Sequence, residues 1–172
     1  KAREVNSNAQ LYGIELSSGA AAVAEHFCQV FQADMLTIDK PELLDKFDYI
    51  FMGDVLEHIV DTDGALAKVY SWLKKGGQLI VSVPNIANIS IITNMLMGKW
   101  HYGDSGILDR THMRFFTYKE MVENLTRHNL AIKKSAYSHL NFESPAPELR
   151  EALLNLLFIK VDPQDLDAFQ WV

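Results

Sequence analysis

The feature that most constrains this chain is the run Phe47-Asp-Tyr-Ile-Phe-Met52, apolar on both faces and closed by Gly53-Asp54. Such a run suits a central strand of a parallel sheet, which helices cover on either side. The rest of the chain repeats the theme. Gln10–Glu15, Gln29–Ala33 and Gln78–Val83 read as further short strands, and segments of helical spacing alternate with them. Ser17 and Ser18 can cap a helix over Ala20–Phe27, and Pro41 suits the start of a short one. Asp61 or Thr62 starts a helix over Gly64–Leu73, with Leu66, Val69, Tyr70 and Leu73 at helical spacing. Lys74-Lys75 favour its C-terminal dipole and Gly76-Gly77 stop it. This alternation predicts an α/β fold, a mostly parallel sheet with helices on both faces.

After Pro84 the alternation breaks down. Ile86–Met97 reads as helical, and Gly98–Phe116 follows without a clear period. Thr117-Tyr-Lys-Glu120 is a capping box that opens a helix to about His128. Ala131–Tyr137 is expected as a fifth strand, Glu148–Phe158 as an apolar-faced helix, and Ala168–Val172 as a last strand. A long irregular stretch inside a compact domain is commonly functional, so residues 86–116 are expected to be a substrate-side insertion or lid.

The 172 residues fit one domain with one sizeable core. A net charge of −6 argues against a nucleic-acid partner, because that binding rests on neutralising phosphates. The single cysteine, Cys28, rules out an internal disulfide and suits a packing role in a reducing compartment. Ile86–Gly98, the most apolar stretch, is too short and Asn-rich to span a bilayer. No membrane partner and a cytoplasmic location are the expectation.

Ligands of open parallel sheets bind beyond the carboxyl ends of the strands. The polar residues there are Glu15, Asp34, Asp54 with Glu57 and His58, and Asn85. Glu15 fits an acid that accepts from both ribose hydroxyls of a nucleotide, or is a solvated strand-end charge. Such an acid follows a glycine-rich turn by about 20 residues, and counting back from Glu15 leads off the front of the chain. The nine glycines form no G-x-G-x-x-G. His26, His128 and His139 are scattered over different elements, and no Cys/His spacing fits zinc, so no metal is expected.

Leu11–Ser17, Ala33-Asp34-Met35, Phe47–His58 and Leu73–Asn85 together closely resemble class I S-adenosylmethionine-dependent methyltransferases. The segment Gly106-Ile-Leu-Asp-Arg-Thr-His-Met-Arg-Phe-Phe-Thr117 resembles a bacterial subgroup linked to polysaccharide and glycosyltransferase loci. The resemblance implies a Rossmann-like sheet, here lacking the first strand and the glycine loop, with an antiparallel last strand. The chain is then a single, N-terminally incomplete domain over residues 1–172. It further implies S-adenosylmethionine as cofactor, with Glu15 on its ribose, Leu16 against the adenine, Asp34 accepting from the adenine amino group and Met35 beside the ring. Asp54 would line the methionyl end. The missing first strand would be central, so a homodimer or strand-exchanged oligomer is expected, with weak cofactor binding by the isolated chain.

The expected activity is methylation of a small molecule, most naturally O-methylation of a sugar or polysaccharide precursor. A hydroxyl acceptor must lose its proton at or after attack, and histidine is the usual recipient. His58 and His112 are the candidate catalytic residues, with His101 behind them. For Glu57 and His58 the competing role is a helix start or packing. For Asp109 with Arg110 or Arg114 it is an ion pair staking down the loop. Two other functions compete: a non-catalytic scaffold on a degenerate methyltransferase fold, and a nicotinamide-dependent oxidoreductase.

Overall fold

The structure is a computed structural model that describes residues 6–138, 147–155, 162–168 and 170–172. Residues 1–5, expected as the tail of a preceding helix, lie outside the described residues, as do His139, Phe169 and residues 156–158 of the expected late helix. The chain forms two compact units, one ending at Glu42 and one starting at Leu43.

In the first unit, β1 (Tyr12–Glu15) pairs in parallel with β2 (Gln29–Gln32), Tyr12 opposite Gln29 and Glu15 opposite Gln32. Between them runs α1 (Ser18–Ala24), whose first free amides are met by Ser17: its Oγ accepts from Ala20 at 3.5 Å. The helix ends before the expected Phe27. The amides of His26 and Phe27 bond to carbonyls three residues back, which tightens the last turn and brings Cys28 under β1. A Cβ on Gly13 would meet Cys28 Sγ at 3.3 Å, so Cys28 is a packing residue against a tight strand.

In the second unit, β3 (Phe47–Gly53) runs parallel to β4 (Leu73–Pro84). The sheet continues through β6 (Gln170–Trp171) to β5 (Tyr137–Ser138), in the order β3-β4-β6-β5. β6 is antiparallel to both neighbours, as expected of a last strand, and it lies inside the sheet. The expected strand over Ala131–Tyr137 is reduced to β5. Its partner β6 is two residues long, so few residues find ladder hydrogen bonds.

The expectation for β3 needs correction. It is the edge strand of its sheet, with Tyr49 64% and Phe51 71% exposed on one face and Met52 buried on the other. Helix α2 (Thr62–Trp72) is capped by Asp61, whose Oδ1 accepts the Gly64 amide at 2.9 Å. Its buried stripe is Ala65, Leu66, Val69 and Trp72, while Tyr70 points outward. It stops one residue early because Leu73 is already extended opposite Phe47. Lys74–Gly77 then form an irregularity in β4 between the Phe47 and Tyr49 pairings, where Gly76 takes φ +83°.

Four further helices follow: α3 (Ile89–Leu96), α4 (Tyr118–Arg127), α5 (Pro147–Leu154) and α6 (Pro163–Asp167). Thr117 caps α4 as its sequence requires, Oγ1 accepting from Glu120 at 3.2 Å. Met121 and Leu125, one turn apart, bury its inner face. The guanidinium of Arg150 in α5 forks onto both carboxylate oxygens of Asp167 in α6, each at 2.6 Å. That hydrogen-bonded pairing raises the arginine's pKa further.

Candidate functional site

In the first unit, the paired strands place Glu15 and Asp34 at one end of the two-stranded sheet. The Ala33 amide donates to the Glu15 carbonyl at 3.0 Å, which holds the two strand ends in register. Each carboxylate folds back onto the chain that follows it. Glu15 Oε1 accepts from Ser17 N and Asp34 Oδ1 from Leu36 N, both at 2.8 Å. One oxygen of each is left uncommitted by these turns. Leu16 is 71% exposed, so it presents an apolar surface and does not pack in a core. Met35 beside Asp34 is half-buried.

In the second unit, the carboxyl end of β3 is sharply bent. Asp54 adopts left-handed backbone, φ 53°, which Asp tolerates better than most residues. Its amide lies 3.3 Å from both the carbonyl and Oγ of Ser82 on β4, and Oδ1 accepts from Ser82 Oγ and from Gln170 Nε2 on β6. The bend leads directly into a single tight turn, Leu56–His58. There Leu56 and Glu57 are buried while His58 is exposed.

Main-chain bonds bring a distant segment to this turn. The Glu57 carbonyl accepts the amides of Met113 at 2.7 Å and Arg114 at 3.0 Å. The Arg114 guanidinium donates twice to the Val60 carbonyl, at 3.0 and 2.6 Å. The result sets the His58 and His112 rings 4.9 Å apart, steeply inclined at 71°. His58 Nδ1 is 3.2 Å from the Thr111 carbonyl and His112 Nδ1 is 3.0 Å from that of Ile107. A carbonyl only accepts, so Nδ1 of each ring is the donor, and a ring in its neutral form keeps its lone pair on Nε2.

The Glu57 side chain points into the same place. Burial pushes its carboxyl pKa up, its own backbone amide pulls against that, the Asp54 carboxylate adds to the rise, and the two histidines oppose it more weakly. The loop ahead of His112 is braced differently from the expected ion pair. Asp109 Oδ1 accepts from Thr111 N at 2.7 Å and Thr111 Oγ1 at 2.6 Å, and these bonds hold its carboxyl below the usual range. Arg110 pairs instead with Asp104, at 2.8 Å.

Residues 86–116 return to where they leave the sheet. Asn85 and Phe116 form an isolated parallel bridge, and Ile86 N donates to the Phe116 carbonyl at 2.9 Å. Ile91, Ile107 and Leu108, with Ile86 and Phe115, give the segment a small core of its own. Asn85, a strand-end candidate, is spent on structure: it is 0% exposed, and Nδ2 donates to the carbonyls of Asp165 and Ala168 at 2.7 and 2.9 Å. A separate cavity of about 1080 Å³ is lined by Leu79, Val81, Met121 and Leu125, and by none of the expected site residues.

Acids at the carboxyl ends of strands in a Rossmann-like α/β fold define a class of domain built to hold nucleotide-like ligands. Within that class, this chain belongs to the methyltransferase-domain family, whose model matches residues 2–135. A solved S-adenosylmethionine-dependent methyltransferase of Thermotoga maritima superposes with a TM-score of 0.61 at 21% identity, over 77% of this chain and 61% of its own. One of Archaeoglobus fulgidus gives 0.61 at 14% identity, over 93% and 72%. At such identities the likeness shows the fold, an α/β methyltransferase fold with a mixed sheet. Phosphoethanolamine N-methyltransferase 2 of Caenorhabditis elegans is 24% identical over 150 residues, which are 84% of this chain. The chain spans about a third of that relative's length, 31%. Among the described residues, no helix is long and apolar enough to cross a membrane.

Proposed function

We propose that this chain carries out S-adenosylmethionine-dependent methylation of a hydroxyl on a small, sugar-like acceptor. The observation that carries the reading is the His58–His112 pair beyond the carboxyl end of β3, in a chain of the methyltransferase-domain family. In the transfer, an oxygen lone pair forms the bond to the methyl carbon. Bound S-adenosylmethionine would supply that carbon, its carbon–sulfur bond breaking with the electron pair kept by sulfur. The hydroxyl proton must then leave, and the free Nε2 positions of the two histidines are where it is received. Little else needs chemical help, so the protein's work is positioning.

For the cofactor, within the first unit Glu15 holds the ribose, Leu16 packs on the adenine, and Asp34 accepts from its amino group with Met35 alongside. The shared strand-end position of Glu15 and Asp34 and the exposure of Leu16 support these roles. Residues 86–116 form the acceptor wall, since they bring His112 to the turn at His58 and have a core independent of the sheet. The Caenorhabditis elegans relative is named for an amine acceptor, which makes an amine the alternative substrate class.

The test is methyl transfer from labelled S-adenosylmethionine to monosaccharides, nucleotide sugars and, in parallel, ethanolamine and phosphoethanolamine. An O-methylated sugar is the expected product. His58→Asn and His112→Asn are expected to cut the rate by roughly 10²–10⁴, the usual loss with a proton acceptor, and to leave cofactor affinity within about threefold. Transfer to amines alone would overturn the acceptor assignment. Binding of NAD in place of S-adenosylmethionine by protein extended upstream of residue 1 would favour the oxidoreductase, and binding of neither the scaffold reading.

A further inference from the structure

Glu57 is 1% exposed, and neither of its carboxylate oxygens has a hydrogen-bond partner. Among the described residues no lysine or arginine forms an ion pair with it. An unpaired carboxylate so deeply buried is costly, and native proteins rarely leave one without a compensating group. The group it faces is the histidine pair. One carboxylate oxygen of Glu57, one ring nitrogen of His58 and one of His112 all lie within 4.8 Å of one another.

We propose that Glu57, His58 and His112 form a binding site for a divalent first-row transition-metal ion, zinc foremost. Two imidazoles and one carboxylate are a donor set that such ions take, and three protein ligands leave coordination positions free. Both rings already donate Nδ1–H to a main-chain carbonyl, of Thr111 and of Ile107. That is the usual support behind a metal-ligating histidine, fixing its tautomer and turning Nε2 outward. The three ligands are graded from buried Glu57 through half-buried His112 to exposed His58, so the free positions open toward solvent on the His58 side. Asp54 adds negative charge nearby, which further favours a cation. Binding an ion at about 2.0–2.2 Å from each ligand atom would draw the three side chains closer together by rotation.

The spacing of histidines along the chain gives no sign of this site, because His58 and His112 are brought together by contacts between remote segments, the main-chain clamp of Glu57 and Met113 among them. For the acceptor's proton, which rests on the methyltransferase reading above, a bound ion would occupy Nε2 of both histidines and supply Lewis acidity in place of their basicity. An acceptor oxygen on it would ionise more readily, as metal-bound water does, and the proton would pass to solvent on the exposed His58 side.

Zinc chloride titrated calorimetrically into untagged, chelator-stripped protein is the test, with cobalt(II) absorption as the spectroscopic readout. Neither measurement uses cofactor or acceptor, so its outcome is independent of whether methyl transfer is found. One ion per chain at micromolar strength or tighter is expected, with visible cobalt bands that report imidazole coordination. His112→Asn and Glu57→Gln are each expected to weaken binding by at least about tenfold, the scale on which even supporting residues of metal sites act. His58→Asn alters an exposed side chain and keeps the question open to measurement if Glu57→Gln does not fold. His26→Asn, on another element, is expected to change nothing. Absence of binding below about millimolar zinc would overturn the proposal, as would affinity unchanged in both His58→Asn and His112→Asn.

Discussion

The carbonyl of Glu57 accepts the amide of Met113 at 2.7 Å, joining a turn at the end of β3 to a segment more than fifty residues later. This contact is made by backbone alone, so the side chains on either side of it are free to serve chemistry. His58, Glu57 and His112 are those side chains, and none of them makes the main-chain bond itself.

Glu15 is expected to be the strongest single determinant of cofactor affinity. Glu15→Ala removes a charged acceptor at a strand end, a loss on the order of 1.5–3 kcal/mol, or roughly 10- to 150-fold in dissociation constant. Calorimetry with S-adenosylmethionine measures it, and an unchanged constant would reduce Glu15 to a capping role for Ser17.

Exchange of residues 86–116 for the matching segment of a relative is expected to change which acceptors are methylated while cofactor affinity stays nearly constant. The segment's own core, Ile91, Ile107 and Leu108, makes the exchange structurally feasible. A drop in cofactor affinity with acceptor preference unchanged would refute the wall assignment.

Asn85 reads as a site residue from its place after Pro84, and the structure makes it a brace. Asn85→Ala removes the side-chain donor to the Asp165 carbonyl and one of the two donors to that of Ala168, which keeps Asn88 Nδ2 at 3.0 Å, and is expected to lower unfolding free energy by about 1–3 kcal/mol. Urea denaturation followed by Trp fluorescence is suitable. A midpoint equal to wild type would show that those carbonyls find other partners.

Much of the fold was legible because it depends on near neighbours. Asp61 and Thr117 cap helices through bonds to residues three positions on, and the apolar run before Asp54 can only be a strand. What depends on remote residues was not legible. β3 reads as interior from its own composition, but its edge position depends on its partners. β6 slides between β4 and β5, which no local pattern announces. The histidine pair was named residue by residue, yet its closeness and the buried carboxylate between them come from the fold. From sequence, Glu57 reads as a helix-start, packing or substrate-side residue, and an acidic side chain in an otherwise apolar turn is the available signal.

Acid stability tests the contact between α2 and α4. Asp63 accepts from His128 Nε2 at 2.7 Å and from Arg127 at 3.1 Å, and its pKa is lowered, first by the His128 bond. A lowered folded pKa gives stability that is full above the unfolded value of about 3.9 and is lost as pH falls through the folded one. Asp63→Asn is therefore expected to flatten the fall in melting temperature below about pH 4. An acid limb as steep as wild type would place the titration elsewhere.

The open edge of β3, with Tyr49, Phe51 and Ile80 exposed beside it, is proposed to associate with a second copy of the chain. Phe51→Lys puts a charge on that face without disturbing buried residues. Sedimentation velocity is expected to show a concentration-dependent dimer for wild type and a monomer for the variant. A wild-type monomer at high micromolar concentration would end this proposal.

The place of β6 between β4 and β5 has a consequence for how the second unit assembles. Trp171 is opposite Val83 on one side and Tyr137 on the other, so the strand that joins the sheet's halves is the last of the described strands to leave the ribosome. Until it arrives, β5 has no ladder to join, and the rings of Tyr118 and Tyr137, which pack at 4.6 and 5.3 Å from that of Trp171, face water. Closing a contact across so many residues is entropically slow. Docking of Gln170 and Trp171 is therefore expected to be a late step of refolding, which stopped-flow Trp fluorescence of Trp171→Phe against wild type would check.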